Sequence, residues 1–111
     1  MRLRNAVLAV ASAAALVLAV PMSADAATGD FLYKVGKHSA GTPAGMYDPE
    51  SGKCIDVFGA TEADPAFAPE NFTTSTATVF LEAECNGDVY FVMNPGKRLG
   101  DRLKFRSVVF S

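Results

Sequence analysis

The sequence is poor in the residues that carry most enzymatic and metal chemistry. It has no tryptophan, one histidine, His38, and two cysteines, Cys54 and Cys85. Nucleophilic catalysis needs a base beside a nucleophile, and a zinc centre needs several His or Cys ligands. His38 has no partner placed by the sequence and is predicted to be a surface residue in a loop. We therefore predict no catalytic residue, no metal site and no cofactor, and we expect the protein not to be an enzyme.

Long apolar runs are also scarce. The main apolar stretch, residues 6–20, has about 15 residues, whereas a helix needs about 20 to cross a bilayer. It follows Arg2 and Arg4 and precedes the small residues Ala24 and Ala26, which is the pattern of a secretory signal peptide. We expect residues 1–26 to be an export signal of bacterial type, cleaved after Ala26. Residues 27–111 then form a secreted domain with no membrane attachment.

The two cysteines suit such a destination. An even count with none left over, in an oxidising compartment, favours a disulfide between Cys54 and Cys85, although two buried thiols remain the alternative. Residues 27–111 make one small domain, and domains of this size lie close to the limit of stability. Closing the 32-residue loop between the cysteines stabilises the fold by about 3–4 kcal/mol in the chain-entropy model.

Helical periodicity is absent from residues 27–111, because no segment repeats apolar residues at i, i+3, i+4 and i+7 over three turns. Several segments instead alternate or are rich in β-branched residues. We predict strands at residues 31–35, 73–81 and 88–93, and a hairpin of residues 46–57 that reverses at residues 48–52. After Phe105 the alternation changes phase near Ser107, which predicts a bulge or bend there. The predicted fold is all-β.

The segment from residue 58 to 69 shows neither period and is predicted to be a loop. Phe67 stands between Pro65 and Pro69 in it, so the backbone is partly fixed. Rigid presentation lowers the entropy lost on binding, and these three residues form a candidate binding loop able to block a protease cleft. In the alternative, Phe67 folds back over the core. Asn71 begins an N-x-T sequon, but we expect it to cap a turn rather than to carry a glycan.

Charge is nearly balanced overall. Residues 27–111 carry eight Lys and Arg against eleven Asp and Glu, which implies solubility rather than a particular partner and gives no reason to expect nucleic-acid binding. Within this acidic domain, residues 97–106 hold five cations and one acidic residue. The candidate basic face consists of Lys97, Arg98, Arg102, Lys104 and Arg106. It suits an anionic surface, and a solvated loop explains it equally well.

The C-terminal half carries a spacing known from one family. Phe80 is followed after four residues by Cys85 and then by Gly87, with a strand at residues 88–93, Pro95-Gly96 and a final Ser107. This pattern resembles the βγ-crystallin Greek-key motif, with Cys85 where a second aromatic is usual. The wider layout of residues 53–111 is similar to small secreted actinobacterial proteins of crystallin-like fold, some grouped with a peptidase-inhibitor family.

The resemblance implies a single-domain Greek-key sandwich in which Ser107 bonds back to a folded hairpin. The chain departs from the calcium-binding members of that family, because Asp101 is the one carboxylate left of their calcium-binding pattern and cations surround it. We therefore predict no calcium site. Our leading hypothesis is a secreted, disulfide-stapled binding module, expected to be monomeric, with inhibition of a secreted protease as its most concrete form. The alternative is a cell-envelope, adhesion or structural protein that uses the basic face on an envelope polymer.

Overall fold

The computed structural model describes residues 26–36 and 40–111. The expectations for the signal peptide before Ala26 and for His38 lie outside these residues. The described residues form an all-β fold, which confirms the predicted class. The strands are β1 Gly29–Val35, β2 Thr42–Tyr47, β3 Cys54–Asp56, β4 Ala66–Thr73, β5 Ala77–Phe80, β6 Tyr90–Met93, β7 Lys104–Phe105 and β8 Ser107–Phe110, with a short 3-10 turn at Ala83–Cys85.

These strands make two antiparallel sheets of four. Sheet 1 has the order β2-β1-β4-β7, and sheet 2 has the order β3-β8-β5-β6. The first half of the chain, β1 to β4, forms three strands of sheet 1, and its third strand, β3, belongs to sheet 2. The second half, β5 to β8, forms three strands of sheet 2, and its third strand, β7, belongs to sheet 1. The second half repeats the arrangement of the first, since β6-β5-β8 corresponds to β2-β1-β4.

The predicted hairpin of residues 46–57 is wrong. Its two arms became β2 and β3, which lie in different sheets, so residues 48–52 carry the chain across the sandwich. Gly52 donates its N–H to Phe110 O at 2.7 Å, and Ile55 pairs with Val108. Turn-forming residues predict a reversal of direction, but the partner of each arm depends on distant strands that the local sequence does not specify.

The core lies between the sheets and is built from the inward side chains of both. Phe31 of β1 meets Phe110 of β8 edge to face, with ring centroids 5.3 Å apart, and meets Phe105 of β7 in the same way at 6.1 Å. The phase change predicted near Ser107 is confirmed. Phe105 belongs to sheet 1 and Val108 to sheet 2, so the chain changes sheet at Arg106 and both apolar sets point inward.

The disulfide between Cys54 and Cys85 is present. It joins β3 to the 3-10 turn, which belongs to a folded connection between β5 and β6. Ser107 on β8 holds the same connection, since its Oγ donates to Glu82 O at 2.6 Å and accepts from the Cys85 N–H at 2.8 Å. One covalent bond and two hydrogen bonds thus fix this connection to sheet 2.

Within the described ranges no helix is long and apolar enough to span a bilayer.

Candidate functional site on the outer face of sheet 1

Two aromatic side chains flank a carboxylate on the solvent side of sheet 1. Asp30 on β1 pairs with Tyr47 on β2 and with Phe72 on β4, so the three lie in one row across three strands. Cross-strand neighbours share a face of the sheet. Tyr47 is 69% exposed and Phe72 is 46% exposed. The row therefore presents two large aromatic surfaces to solvent with a carboxylate between them.

A shallow depression of about 250 Å³ adjoins this row. Its lining includes Leu32, Lys34, Pro43, Tyr47, Ala68 and Glu70. Gly45 pairs with Leu32 beside the depression, and a Cβ there would lie 2.9 Å from Leu32 Cδ2 and 3.4 Å from the Tyr47 hydroxyl. The absent side chain leaves room for Tyr47 to lie over β2. We call the surface formed by Asp30, Leu32, Tyr47, Glu70 and Phe72 the sheet 1 face.

A break in the pairing of β1 with β4 lies where Lys34 and Ala68 line the depression. The register between β1 and β4 shifts between Leu32 and Lys34, and Ala68 opposite this shift has φ +54°. A left-handed residue in a strand marks a bulge, and bulges twist the sheet locally. Position 68 is thus held in a conformation that L residues rarely adopt, between the buried residues Phe67 and Pro69.

The sheet 1 face carries groups that can contact a partner. The side chains of Asp30 and Glu70 make no hydrogen bond to another described residue, so both carboxylates are free to accept one from a partner. Among the described residues no group of three His, Cys, Asp or Glu is placed to hold a metal ion. The face therefore offers aromatic contact area, an aliphatic floor and two hydrogen-bond acceptors.

Tyr33 lies beneath the rim of this face with its ring in the core. The ring packs against Phe31 at 6.1 Å and against Phe105 at 6.0 Å between centroids. Burial raises the pKa of the Tyr33 phenol above its ordinary value of 10.0, and the neighbouring Tyr47 raises that pKa further. Tyr33 therefore stays neutral over the physiological range and belongs to the structural support of the face.

The predicted binding loop is not presented to a partner. Residues 66–69 belong to β4, where Phe67 is 4% exposed and Pro69 is fully buried. A Cβ on Gly41 would lie 2.5 Å from Phe67 Cζ, and Lys104 Nζ lies 4.6 Å from the ring centroid. Gly41 and Lys104 cover the ring on the outer side of sheet 1, where Phe67 pairs with Lys34 and Lys104, so Phe67 is buried without folding back over the core. Pro65, half-buried, is the last residue before the strand.

The candidate basic face is divided by the fold. Lys97, Arg98, Arg102 and Lys104 are exposed, whereas Arg106 is half-buried and lies 3.6 Å from Glu82. Lys104 pairs across the sheet with Phe67 and Arg98 with Glu70, so both adjoin the sheet 1 face. Arg106 instead faces the folded connection over sheet 2. The five residues do not form one surface.

The sheet 1 face was not foreseen from the sequence. Asp30, Tyr47 and Phe72 are far apart along the chain, and each lies in a segment whose alternation is short. The one available signal is local: Phe72 stands between the buried Asn71 and Thr73, so a strand through these residues puts it on the opposite side. That signal identifies an outward aromatic but not its neighbours.

No family model matches this chain, and neither the curated proteins nor the solved structures yield a match.

Proposed function

We propose that this protein is a secreted, disulfide-stapled binding module that recognises a protein partner through the sheet 1 face. The observation that carries the proposal is the row of Tyr47, Asp30 and Phe72. Aromatic residues are enriched at protein interfaces, and anchors held on rigid strands lose little entropy when they bind. The Cys54–Cys85 disulfide suits the oxidising compartment of a secreted protein.

We also propose that the chain is a βγ-crystallin-like protein of the small actinobacterial group. Two features support this kinship. The first is the paired arrangement of the two halves, each of which lends its third strand to the opposite sheet. The second is the pair of hydrogen bonds from Ser107 to the folded connection at Glu82 and Cys85, the contact that the motif requires of its serine.

Inhibition of a secreted protease is the most concrete form of the binding proposal. The test titrates the protein from residue 27 onward against a subtilisin-type and a thermolysin-type protease. We expect inhibition of one of them that is lost in Tyr47→Ala and Phe72→Ala. Phe58→Ala is the matched control, since Phe58 is 91% exposed and lies outside the sheet 1 face. Normal hydrolysis at micromolar excess of the protein would refute the inhibitor form.

An envelope-binding function is the second candidate, and the exposure of four cations favours it. Among the described residues, none of Lys97, Arg98, Arg102 and Lys104 forms an ion pair. Binding to an anionic wall polymer by these residues would weaken as salt is raised, because exposed charges are screened. The test is a pull-down with purified wall polymer at low and high salt, with Arg98→Gln and Lys104→Gln combined. Binding that is equally strong at low and high salt, and equally strong in the double variant and the wild type, would exclude this candidate.

A further inference from the structure

The outer strand of sheet 2 has the properties of a pairing edge. β6 pairs only with β5 among the described residues and ends the sheet. Residues 89–92, which are Val, Tyr, Phe and Val, are 46–55% exposed. They include no charge and no proline, the devices that normally protect a free edge. This is a short uncharged edge whose side chains are open on both faces of the sheet.

The other edges of the sandwich lack this combination. β2 at the corresponding edge of sheet 1 contains Pro43, which has no N–H to offer, and also Gly45. β3 has three residues and β7 has two, which is too short for extensive pairing. β6 therefore stands out as the edge able to accept another strand.

The backbone groups of β6 fix how a new strand would attach. Leu81 donates its N–H to Val89 O at 3.1 Å, so Val89 is hydrogen-bonded to the β5 side. Hydrogen-bonded and non-bonded pairs alternate along an antiparallel ladder. Phe91 and Met93 therefore also bond toward β5, whereas Tyr90 and Val92 direct their N–H and C=O groups to the free edge.

We propose that β6 is the contact between two copies of this chain, which pair antiparallel about a twofold axis at Phe91. In this register Tyr90 of each copy exchanges both backbone hydrogen bonds with Val92 of the other, and the two Phe91 side chains meet at the axis. Val89 faces Met93 of the other copy, and Asp88 faces Asn94, an amide that can donate to its carboxylate. The two sheets become one sheet of eight strands.

Other symmetric registers fit less well. Sliding the copies so that Tyr90 faces Tyr90 brings the Asp88 carboxylate opposite Val92, which leaves a charge against an apolar side chain. Sliding them the other way, so that Val92 faces Val92, leaves one hydrogen-bonded pair inside β6, because Tyr90 then faces Asn94, which lies beyond the end of the strand. The segment is complementary to itself in the one register, which is why a second copy is favoured over an unrelated extended peptide.

The contact is small. A single added strand buries less than the about 800 Å² per partner of a standard stable interface, so the dimer should be weak and concentration-dependent. It uses an edge of sheet 2 and none of the residues of the sheet 1 face, and it does not rest on the proposed function.

A cysteine scan tests the register directly. At a non-bonded antiparallel pair the Cα atoms lie about 4.5 Å apart, and a disulfide needs them within about 7 Å. We expect Phe91→Cys to form a covalent dimer on mild oxidation. Val92→Cys, at a position that is 55% exposed against 46% for Phe91, should not form one. Each copy's Val92 faces Tyr90 of the other copy and lies beyond that limit from the other Val92. Peptide mapping checks that the Cys54–Cys85 bond is intact in both variants.

A second experiment needs no new thiol. Val92→Pro removes an N–H that faces away from β5 and has no partner among residues 26–36 and 40–111, so the domain should remain folded by circular dichroism. In sedimentation equilibrium the wild type should gain mass with concentration, and Val92→Pro should weaken association by about tenfold or more, through loss of two intermolecular hydrogen bonds. A wild type that stays monomeric at millimolar concentration, or equal cross-linking of both cysteine variants, would overturn the proposal.

Discussion

The Asn71 side chain ties the two sheets together, because its Nδ2 donates to Met93 O on β6 at 2.8 Å while Asn71 itself belongs to β4. The same Nδ2 donates to Ser75 O at 2.8 Å, and Oδ1 accepts from the Thr73 N–H and hydroxyl. Both amide hydrogens are thus used inside a fully buried site. This explains why the N-x-T sequon at Asn71 is a structural element rather than a place for a glycan.

Replacing Asn71 with Asp should be strongly destabilising. The variant keeps the size of the side chain but removes both donors, so Met93 O and Ser75 O lose partners and a carboxylate is buried. Together these effects should lower the free energy of unfolding by about 3 kcal/mol. Guanidinium denaturation measures the change. Asn86→Asp, at an exposed site, is the matched control, and similar midpoints for both variants would contradict the role assigned to Asn71.

Ser107→Ala should loosen the folded connection between β5 and β6. The substitution leaves the Cys85 N–H and Glu82 O without their partner, which should lower the free energy of unfolding by about 2 kcal/mol. Hydrogen exchange at the Cys85 amide is the specific measurement, and we expect its protection to fall. Ser111→Ala, at an exposed position, controls for loss of a serine hydroxyl. Unchanged protection at Cys85 would mean that the disulfide alone fixes the connection.

Removal of the disulfide should lower the free energy of unfolding more than Ser107→Ala does and at least as much as Asn71→Asp. Cys54→Ala combined with Cys85→Ala should lower the free energy of unfolding by about 3–4 kcal/mol, mainly by freeing the unfolded chain. Urea denaturation of the double variant and of the oxidised wild type gives this difference. A loss below about 1 kcal/mol would show that strand pairing of β3 with β8 already holds this region, since the model for loop closure predicts much more.

Tyr33 should make the domain sensitive to alkaline pH. Burial raises its pKa in the folded state above 10.0, so the folded protein holds this proton more tightly than the unfolded chain. The stabilisation is complete below pH 10.0 and is lost as the pH rises through the folded-state pKa. Tyr33→Phe should flatten this decline in thermal stability, whereas Tyr90→Phe, which removes an exposed phenol, should leave the wild-type profile. If thermal stability declined equally with pH in all three proteins, Tyr33 would not be the cause of the alkaline sensitivity.

The sequence predicts what depends on local spacing and misses what depends on partners. The strand class, the disulfide and the phase change near Ser107 followed from alternation and cysteine count, and all three are confirmed. The assignment of Tyr47 and Cys54 to one hairpin was wrong, because β2, which contains Tyr47, pairs with β1, whereas β3, which contains Cys54, pairs with β8. Phe67 was assigned to a loop since Pro65 and Pro69 break the pattern, but an edge segment at β7 pairs with it. The row of Tyr47, Asp30 and Phe72 exists only through register.

The exchange of third strands bears on how the chain acquires its structure. β3 pairs with β8, so β3 cannot form its hydrogen bonds until the ribosome has also made β8, more than 50 residues later. Such distant pairings raise contact order and slow folding. Neither half should fold when expressed alone, and mixing the two halves should restore the β-sheet spectrum.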